Sequence, residues 1–230
     1  MMSVKGKGLV LVCGLLVLML GTAVAQDTTF KVVNALGQDA IWGAPGKEMK
    51  VYLKGNGSGL DENGIAGINF TIKYDSTMLT NPVVTAGDLA SGFTKADNVP
   101  ADGELRVVIY PAAPPIPTFK AEEGTIAEIT FTVAATVTPC TDTSPITVDV
   151  SAPEKFGVSN KLGVSITDQG YDTNIQNATF KATHRGDLTF DGHVNAFDFL
   201  ELSNKWKAPG GYNALDFLDL SNSWKNGCLD

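Results

Sequence analysis

The sequence predicts a mainly β chain, an antiparallel β-sandwich followed by a small C-terminal helix pair. Three observations carry this prediction. Between about residues 28 and 181, apolar residues recur with period two and are interrupted by Gly, Pro, Asn and Asp. Nothing in that region has helical periodicity long enough to bridge two parallel strands, which excludes a parallel α/β sheet. Beyond residue 186, an Asn-Ala-x-Asp-Phe-Leu-x-Leu-Ser-Asn segment occurs twice, each time followed by x-Trp-Lys.

The first 25 residues read as a secretory leader. Lys5 and Lys7 form a short basic region, Leu9 to Leu20 an apolar run, and Ala23, Val24 and Ala25 a small-residue cleavage site before Gln26. The run is too short for a membrane span, and no later stretch is long and apolar enough to be one.

The strands of the larger unit then follow in order. Met49, Val51 and Leu53 alternate with Lys50, Tyr52 and Lys54. Ile68, Phe70, Ile72 and Tyr74 alternate with Asn69, Thr71 and Lys73. Leu105, Val107 and Ile109 repeat the pattern, as do Ala127, Ile129, Phe131 and Val133, and then Ile146, Val148 and Val150. Each run has one face to bury and one to wet. Turn signals at 55–59 and 61–64 separate the first two runs.

A short linker, 182–186, leads into the second unit, 187–225, and a tail, 226–230. Its first loop carries oxygen-bearing side chains at positions 1, 3, 5, 9 and 12: Asp187, Thr189, Asp191, Asn195 and Asp198. Gly192 at position 6 permits a sharp turn, and His193 at position 7 offers a backbone carbonyl. That spacing wraps a hard cation and delivers the chain into a helix, so the loop is expected to hold Ca2+. In the second copy Asn195 recurs as Asn213 and Asp198 as Asp216. Each Asn is a candidate N-cap, and each Asp stands in the first turn, where the helix dipole favours negative charge. The residues ahead of Asn213 are different. Lys205, Lys207 and Pro209 fall at positions 1, 3 and 5, and none supplies a side-chain oxygen, so one ion is expected rather than two. Phe199, Leu202 and Trp206 fall on one helical face, matched by Phe217, Leu220 and Trp224. Neither short helix is stable alone, and the two faces are expected to pack together around the tryptophans.

Composition restricts the functions available. The formal net charge is −8, and it becomes more negative once the leader lysines are removed. No basic cluster is present, which argues against a nucleic-acid partner. Cys140 and Cys228 remain in the mature chain; they show no metal-ligand spacing, and sequence leaves open whether they pair. Catalysis lacks a constellation. Glu122 and Glu123 stand in an acidic turn and Glu128 on a polar strand face, while His184 lies in the linker and His193 in the loop. The chain is read as a non-enzyme.

Two resemblances refine the reading. Pro45 to Leu53, Gly64 to Asp75 with Leu79, Leu105 to Tyr110 and Gly124 to Val133 together resemble a cohesin domain over 29–181. This implies a jelly-roll sandwich of about nine strands with one flat face that binds a dockerin helix pair. The strand after the Pro45-Gly46 turn, the Gly67–Tyr74 strand and the Leu105–Tyr110 strand would lie near that face.

The duplicated Asp-x-x-x-Asp-Gly-x-x-Asn-x-x-Asp and helix arrangement resembles a dockerin module, which ends its loop with Asp where an EF-hand has Glu. Thr189 departs from the family's usual Asn or Asp at position 3. In that family the two residues after the position-9 Asn contribute to partner choice. They correspond here to Ala196 with Phe197 and Ala214 with Leu215, although Phe197 and Leu215 are equally readable as core between the helices.

Together the resemblances imply a secreted, extracellular or cell-surface scaffold or adaptor. It would join dockerin- and cohesin-bearing proteins in complexes that degrade polysaccharide, and sequence leaves open whether it also binds itself. The alternative is a carbohydrate-binding sandwich tethered through its dockerin. Such modules present a row of exposed aromatics, and the candidates here are Trp42, Tyr52, Phe93, Tyr110 and Phe119, without a clustered pattern.

Overall fold

The computed structural model describes residues 30–56, 64–119, 123–169, 174–224, 226 and 228. The predicted leader, most of the predicted turns at 55–64, and Glu122 lie outside the described residues. Among the described residues, no helix is long and apolar enough to cross a membrane.

The strands, in chain order, are β1 (Phe30–Val33), β2 (Ala40–Gly43), β3 (Glu48–Asn56), β4 (Ile65–Lys73), β5 (Leu79–Ala86), β6 (Phe93–Ala101), β7 (Glu104–Pro111), β8 (Glu123–Val133), β9 (Thr143–Val148), β10 (Phe156–Asn160), β11 (Ile175–Gln176) and β12 (Ala178–Ala182). They form two sheets. One has the order β11-β1-β3-β8-β5; the other runs β2-β12-β9-β4-β7-β6, with β10 also paired to β4. β4 is the hub of the second sheet. β7 lies along one edge, while β9 and β10 share the other end to end, pairing at Ile72–Lys73 and at Ile65–Phe70.

The inward faces are those the alternation predicts. Met49, Val51, Leu53, Ile68, Phe70, Ile72, Leu105, Val107, Ile109, Ala127, Ile129, Phe131, Val133, Ile146 and Val148 all join one buried cluster. Phe30 and Phe156 meet edge to face across it, with ring centroids 5.6 Å apart. Thr71, on the face expected to be wet, is fully buried, and two apolar residues also break the pattern. Leu53 pairs with Ala127 and Lys54 with Thr125, so Ile126 is an extra residue that bulges and turns inward, fully buried, beside Ala127. Val150 lies past the end of β9 and is exposed, because pairing stops before it. β6, polar and exposed, forms the outer edge of the second sheet with Lys95 and Pro100 in it.

The sheets are antiparallel except at two outer pairs, β1–β11 and β2–β12, which are parallel. The second exception decides where the small unit sits. Parallel pairing sets Ala182 against Gly43, and the Thr183 amide continues the ladder onto the Gly43 carbonyl at 3.0 Å. The chain therefore leaves the sandwich beside the turn that joins β2 to β3.

Two helices follow, α1 (Ala196–Asn204) and α2 (Ala214–Ser223). Asn195 and Asn213 cap them, and Asp198 and Asp216 complete a capping box in each. The expected aromatic core does not form. Leu202 and Leu220 pack with Leu188 and Val194, but Phe199 and Phe217 are 51% and 48% exposed and Trp206 and Trp224 are 40% and 43% exposed. The helical spacing fails because α1 ends at Asn204 and α2 at Ser223, so both tryptophans lie beyond the last turn. Trp206 instead touches Phe217 edge to face at 6.5 Å between centroids.

Candidate calcium site and docking surfaces

The loop from Asp187 to Asp198 folds around its two terminal carboxylates, both fully buried. Asp187 Oδ1 accepts from the Asp191 amide at 3.1 Å, and Oδ2 from the Gly192 amide at 2.8 Å and the Thr183 hydroxyl at 2.7 Å. Asp198 Oδ1 accepts from the Leu188 and Thr189 amides at 2.8 and 2.9 Å, and Oδ2 from the Asn195 amide at 2.8 Å. The Thr189 hydroxyl bridges the two carboxylates, 3.0 Å from Asp198 Oδ1 and 3.5 Å from Asp187 Oδ1. Positions 1, 3 and 12 of the predicted set are thus brought together. Asp191 turns one oxygen to the His193 amide at 2.9 Å, and Asn195 Oδ1 caps α1 through the Phe197 amide at 2.8 Å. Gly192 takes φ +88°, the left-handed conformation that the sharp turn requires.

Electrostatics supply a test of whether these residues suit a cation. Among the described residues, no Lys or Arg forms an ion pair with Asp187, Asp191 or Asp198. Burial pushes the Asp187 carboxyl up to about 6, with the nearby Asp198 charge adding to the rise, while the Thr183 hydroxyl and the Gly192 and Asp191 amides oppose it. Two buried carboxylates without a protein cation are stabilised by an ion that neutralises them, and an all-oxygen set suits a hard one. The residues fit Ca2+.

The second repeat is built differently. The Tyr212 amide donates to the Lys205 carbonyl at 3.1 Å, and the Lys207 amide to the Tyr212 carbonyl at 2.9 Å, closing a tight backbone turn. Asp216 Oδ2 accepts from the Asn213 amide at 2.9 Å, as Asp198 does from Asn195. Its other oxygen receives Lys47 Nζ, from the β2–β3 turn of the sandwich, at 2.6 Å.

Several further contacts seat the helix pair on the sandwich. Arg185 Nε donates to the Pro45 carbonyl at 2.9 Å. A Cβ on Gly192 would stand 2.8 Å from the ring of Trp42, so the loop lies directly on that indole. Cys140 and Cys228 are joined in a disulfide with Cα atoms 4.7 Å apart, which resolves the pairing that sequence left open. The Cys228 amide then donates to the Gly192 carbonyl at 2.7 Å. His184 Nε2 lies 3.4 Å from Cys140 Sγ. The two sulfurs, bonded to each other, leave no thiolates to make that cluster a metal site.

Two of the surfaces among the described residues bear on docking. On the sandwich, the outer face of β4, β7 and β10 forms a shallow trough of about 350 Å³ lined by Gly67, Asn69, Val108, Tyr110, Gly157 and Ser159, among others. The strand after Pro45-Gly46 does not belong to this face: β3 lies in the opposite sheet, because the chain crosses between sheets at that turn. On the helix pair, Phe197 and Leu215 are 68% and 70% exposed, so they do not fill the core between the helices. Ala196 and Ala214 precede them as the first residues of α1 and α2.

Trp42 and Phe119 are buried, so the five aromatics form no exposed row. Glu128 pairs with Lys50 at 2.7 Å on the strand face expected of it, while Glu123, expected in a turn, is the first residue of β8 and pairs with Lys31 at 3.7 Å.

A family model for the cohesin domain matches residues 39–169. No curated protein matches the chain. Among solved structures, a type I cohesin–dockerin complex from Clostridium thermocellum (the OlpA cohesin with Doc918) aligns with 18% identity and TM-score 0.51, covering 67% of this chain and 97% of that one. The sixth cohesin of scaffoldin B from Acetivibrio cellulolyticus, solved with a Cel5 dockerin mutant, gives 16% identity and TM-score 0.49 over 67% of this chain and 98% of that one. A non-cellulosomal cohesin from the archaeon Archaeoglobus fulgidus gives 18% and 0.47 over 68% and 91%. The matched segment runs from the start of β2 to the short 3-10 turn after β10, across both sheets and more than half of the sequence, and on that ground the chain belongs to the cohesin family.

Proposed function

We propose that this protein is a secreted, non-catalytic adaptor that assembles with other proteins through two surfaces, one on the sandwich and one on the helix pair. The sandwich would receive a dockerin helix pair on the outer face of β4, β7 and β10. The helix pair, a dockerin-like module, would dock onto a cohesin carried by another chain or by a second copy of this one. A place in extracellular polysaccharide-degrading complexes follows from that reading.

The observation that carries it is the pairing of Phe197 with Leu215. They stand at equivalent positions of two capped helices, both largely exposed, and α1 follows directly on a loop whose buried carboxylates form no ion pair with a Lys or Arg among the described residues. With Phe199, Leu200, Phe217 and Leu218, also exposed on the same two helices, they supply the apolar side chains of a contact surface. Separation supports it further: the helix pair rests on Trp42, Pro45, Lys47 and Cys140, none of which lines the trough. Both surfaces can therefore be occupied at once. A chain with two complementary surfaces forms rings or open filaments if it recognises itself, and a linear bridge if it does not.

Asp187, Thr189, Asp191, Asn195, Asp198 and the His193 carbonyl would hold Ca2+, which neutralises the loop and so couples metal binding to the order of the helices. Titrating calcium into chelator-treated protein should show one ion per chain, and Asp198→Asn should weaken it at least about tenfold. Size-exclusion chromatography with light scattering should then show calcium-dependent assembly, with itself or with an added cohesin domain. Phe197→Asp with Leu215→Asp should abolish this assembly while leaving calcium binding intact. Absence of calcium heat would remove the metal reading. A monomer with calcium that also ignores an added cohesin would remove the docking one.

A further inference from the structure

The two repeats place chemically different groups on the same carboxylate. In the first, Asp198 uses Oδ2 for its capping box and turns Oδ1 into the loop, toward the Leu188 and Thr189 amides and the Thr189 hydroxyl. In the second, Asp216 keeps the capping bond through Oδ2, and its Oδ1 meets an ammonium instead: Lys47 Nζ at 2.6 Å, with Asp219 Oδ2 a further 3.8 Å contact one turn along α2.

Lys47 is held in place from its own side. Its carbonyl accepts from the Val133 amide at 2.9 Å, and the Gly46 amide donates to the Val133 carbonyl at 2.9 Å, so the turn is fastened to the end of β8. α2 is held from the other side. A Cβ on Gly186 would stand 2.8 Å from the Leu220 Cα and 2.9 Å from the Asp219 carbonyl, so linker and helix touch backbone to backbone. The Asp216 side chain is 9% exposed and that of Lys47 34%, a charge pair largely withdrawn from solvent on the carboxylate side.

We propose that Lys47 of the sandwich is the built-in cation of the second repeat: it replaces a second metal ion and locks α2 to the sandwich. The eroded loop of Lys205, Lys207 and Pro209 is then compensated within the same chain. The helix pair needs one ion rather than two, and it is presented in a fixed orientation on the β2–β3 turn instead of hanging from a flexible linker. The metal-replacing role rests on the dockerin-like reading proposed above, through the repeat relation between Asp198 and Asp216, whereas the Lys47 contact with α2 stands without calcium in the first loop.

The test is native-state hydrogen exchange on the full chain with its disulfide intact, in chelator and again in calcium. Lys47→Met keeps the side chain's bulk and removes its charge. It should speed exchange of the α2 amides, residues 214–223, by about tenfold in chelator, as loss of a charge-assisted bond does. β4 amides should be unchanged. Lys47→Glu, which sets a third carboxylate against Asp216 and Asp219, should be faster still, and high salt should narrow the gap to wild type. Exchange of α2 in Lys47→Met within threefold of wild type overturns the proposal. So does a Glu variant no faster than the Met variant, since that result assigns the contact to packing. The calcium arm reads separately. If calcium fails to slow exchange across 187–198 in any variant, the metal reading falls while the Lys47 comparison stands.

Discussion

Reducing the bond between Cys140 and Cys228 should release the helix pair while leaving the sandwich nearly as stable as before. The expectation follows from which loop the bond closes. Cys140 and Cys228 are 88 residues apart, and for global unfolding the chain-entropy relation gives about 4.6 kcal/mol. The folded sandwich, however, already holds Cys140 against the start of the linker, through the Cys140 amide and the Ala182 carbonyl at 2.9 Å. When only the helix pair opens, the segment the disulfide restrains runs from Thr183 to Cys228, a separation of 45. The same relation then gives about 4 kcal/mol, nearly a thousandfold in the opening equilibrium. The remainder, roughly 0.6 kcal/mol, is what the sandwich itself loses.

The tryptophans make the two events separable. All three report on the small unit or its seat: Trp206 and Trp224 follow α1 and α2, and Trp42 lies under Gly192. Urea titration read by tryptophan fluorescence should shift to a distinctly lower midpoint with reductant and split from the transition read by far-ultraviolet circular dichroism, which the β-sandwich dominates. If both signals move together, or if the fluorescence transition shifts by less than about 1 kcal/mol, the argument from loop length is wrong.

Two more predictions address the seat of the helix pair and the buried carboxylate just past the end of β9. Gly192→Ala should cost at least about 1 kcal/mol in the same fluorescence titration, because it combines a left-handed backbone with a methyl group driven into Trp42; an unchanged midpoint would mean the loop does not rest there. Asp149 is pushed down to about 2 by the Ser151 hydroxyl and by the Lys73 ammonium and the Ser151 amide, against burial. Its folded value lies below its ordinary one, so its contribution is complete above about pH 4 and disappears as the pH falls toward 2. Acid titrations should therefore show wild type losing stability more steeply than Asp149→Asn in that window, and parallel curves would refute the assignment.

Much of the sandwich was legible because period-two burial is a local property. The inward residues of β3, β4, β7 and β8 are those that alternation selects, since a half-buried strand must place every second side chain in the core. Ile126 was not legible: a bulge is a mismatch between two strands, and one strand's sequence does not contain it. Nor was the sheet membership of β3, because a crossing between sheets leaves the alternation intact. The aromatic stripe of the helices misled for a related reason. Helical spacing extends to Trp206, one residue past the C-cap of α1, and to Trp224, the C-cap of α2, where neither helix continues.

For the small unit, the sequence alone determined the loop spacing, the capping residues and the erosion of the second copy. Those depend on residues a few positions apart, within reach of one turn of backbone. Only the tertiary structure decided that Cys140 meets Cys228, that Lys47 faces Asp216, and that Phe197 and Leu215 point away from the core. The first two depend on the parallel pairing of β12 with β2, which brings the linker to the β2–β3 turn. Lys47 and Asp216 are separated by 169 residues, and no local pattern sets the distance between groups so far apart. The fold sets it, because burying two sheet faces against each other fixes where the chain can leave them.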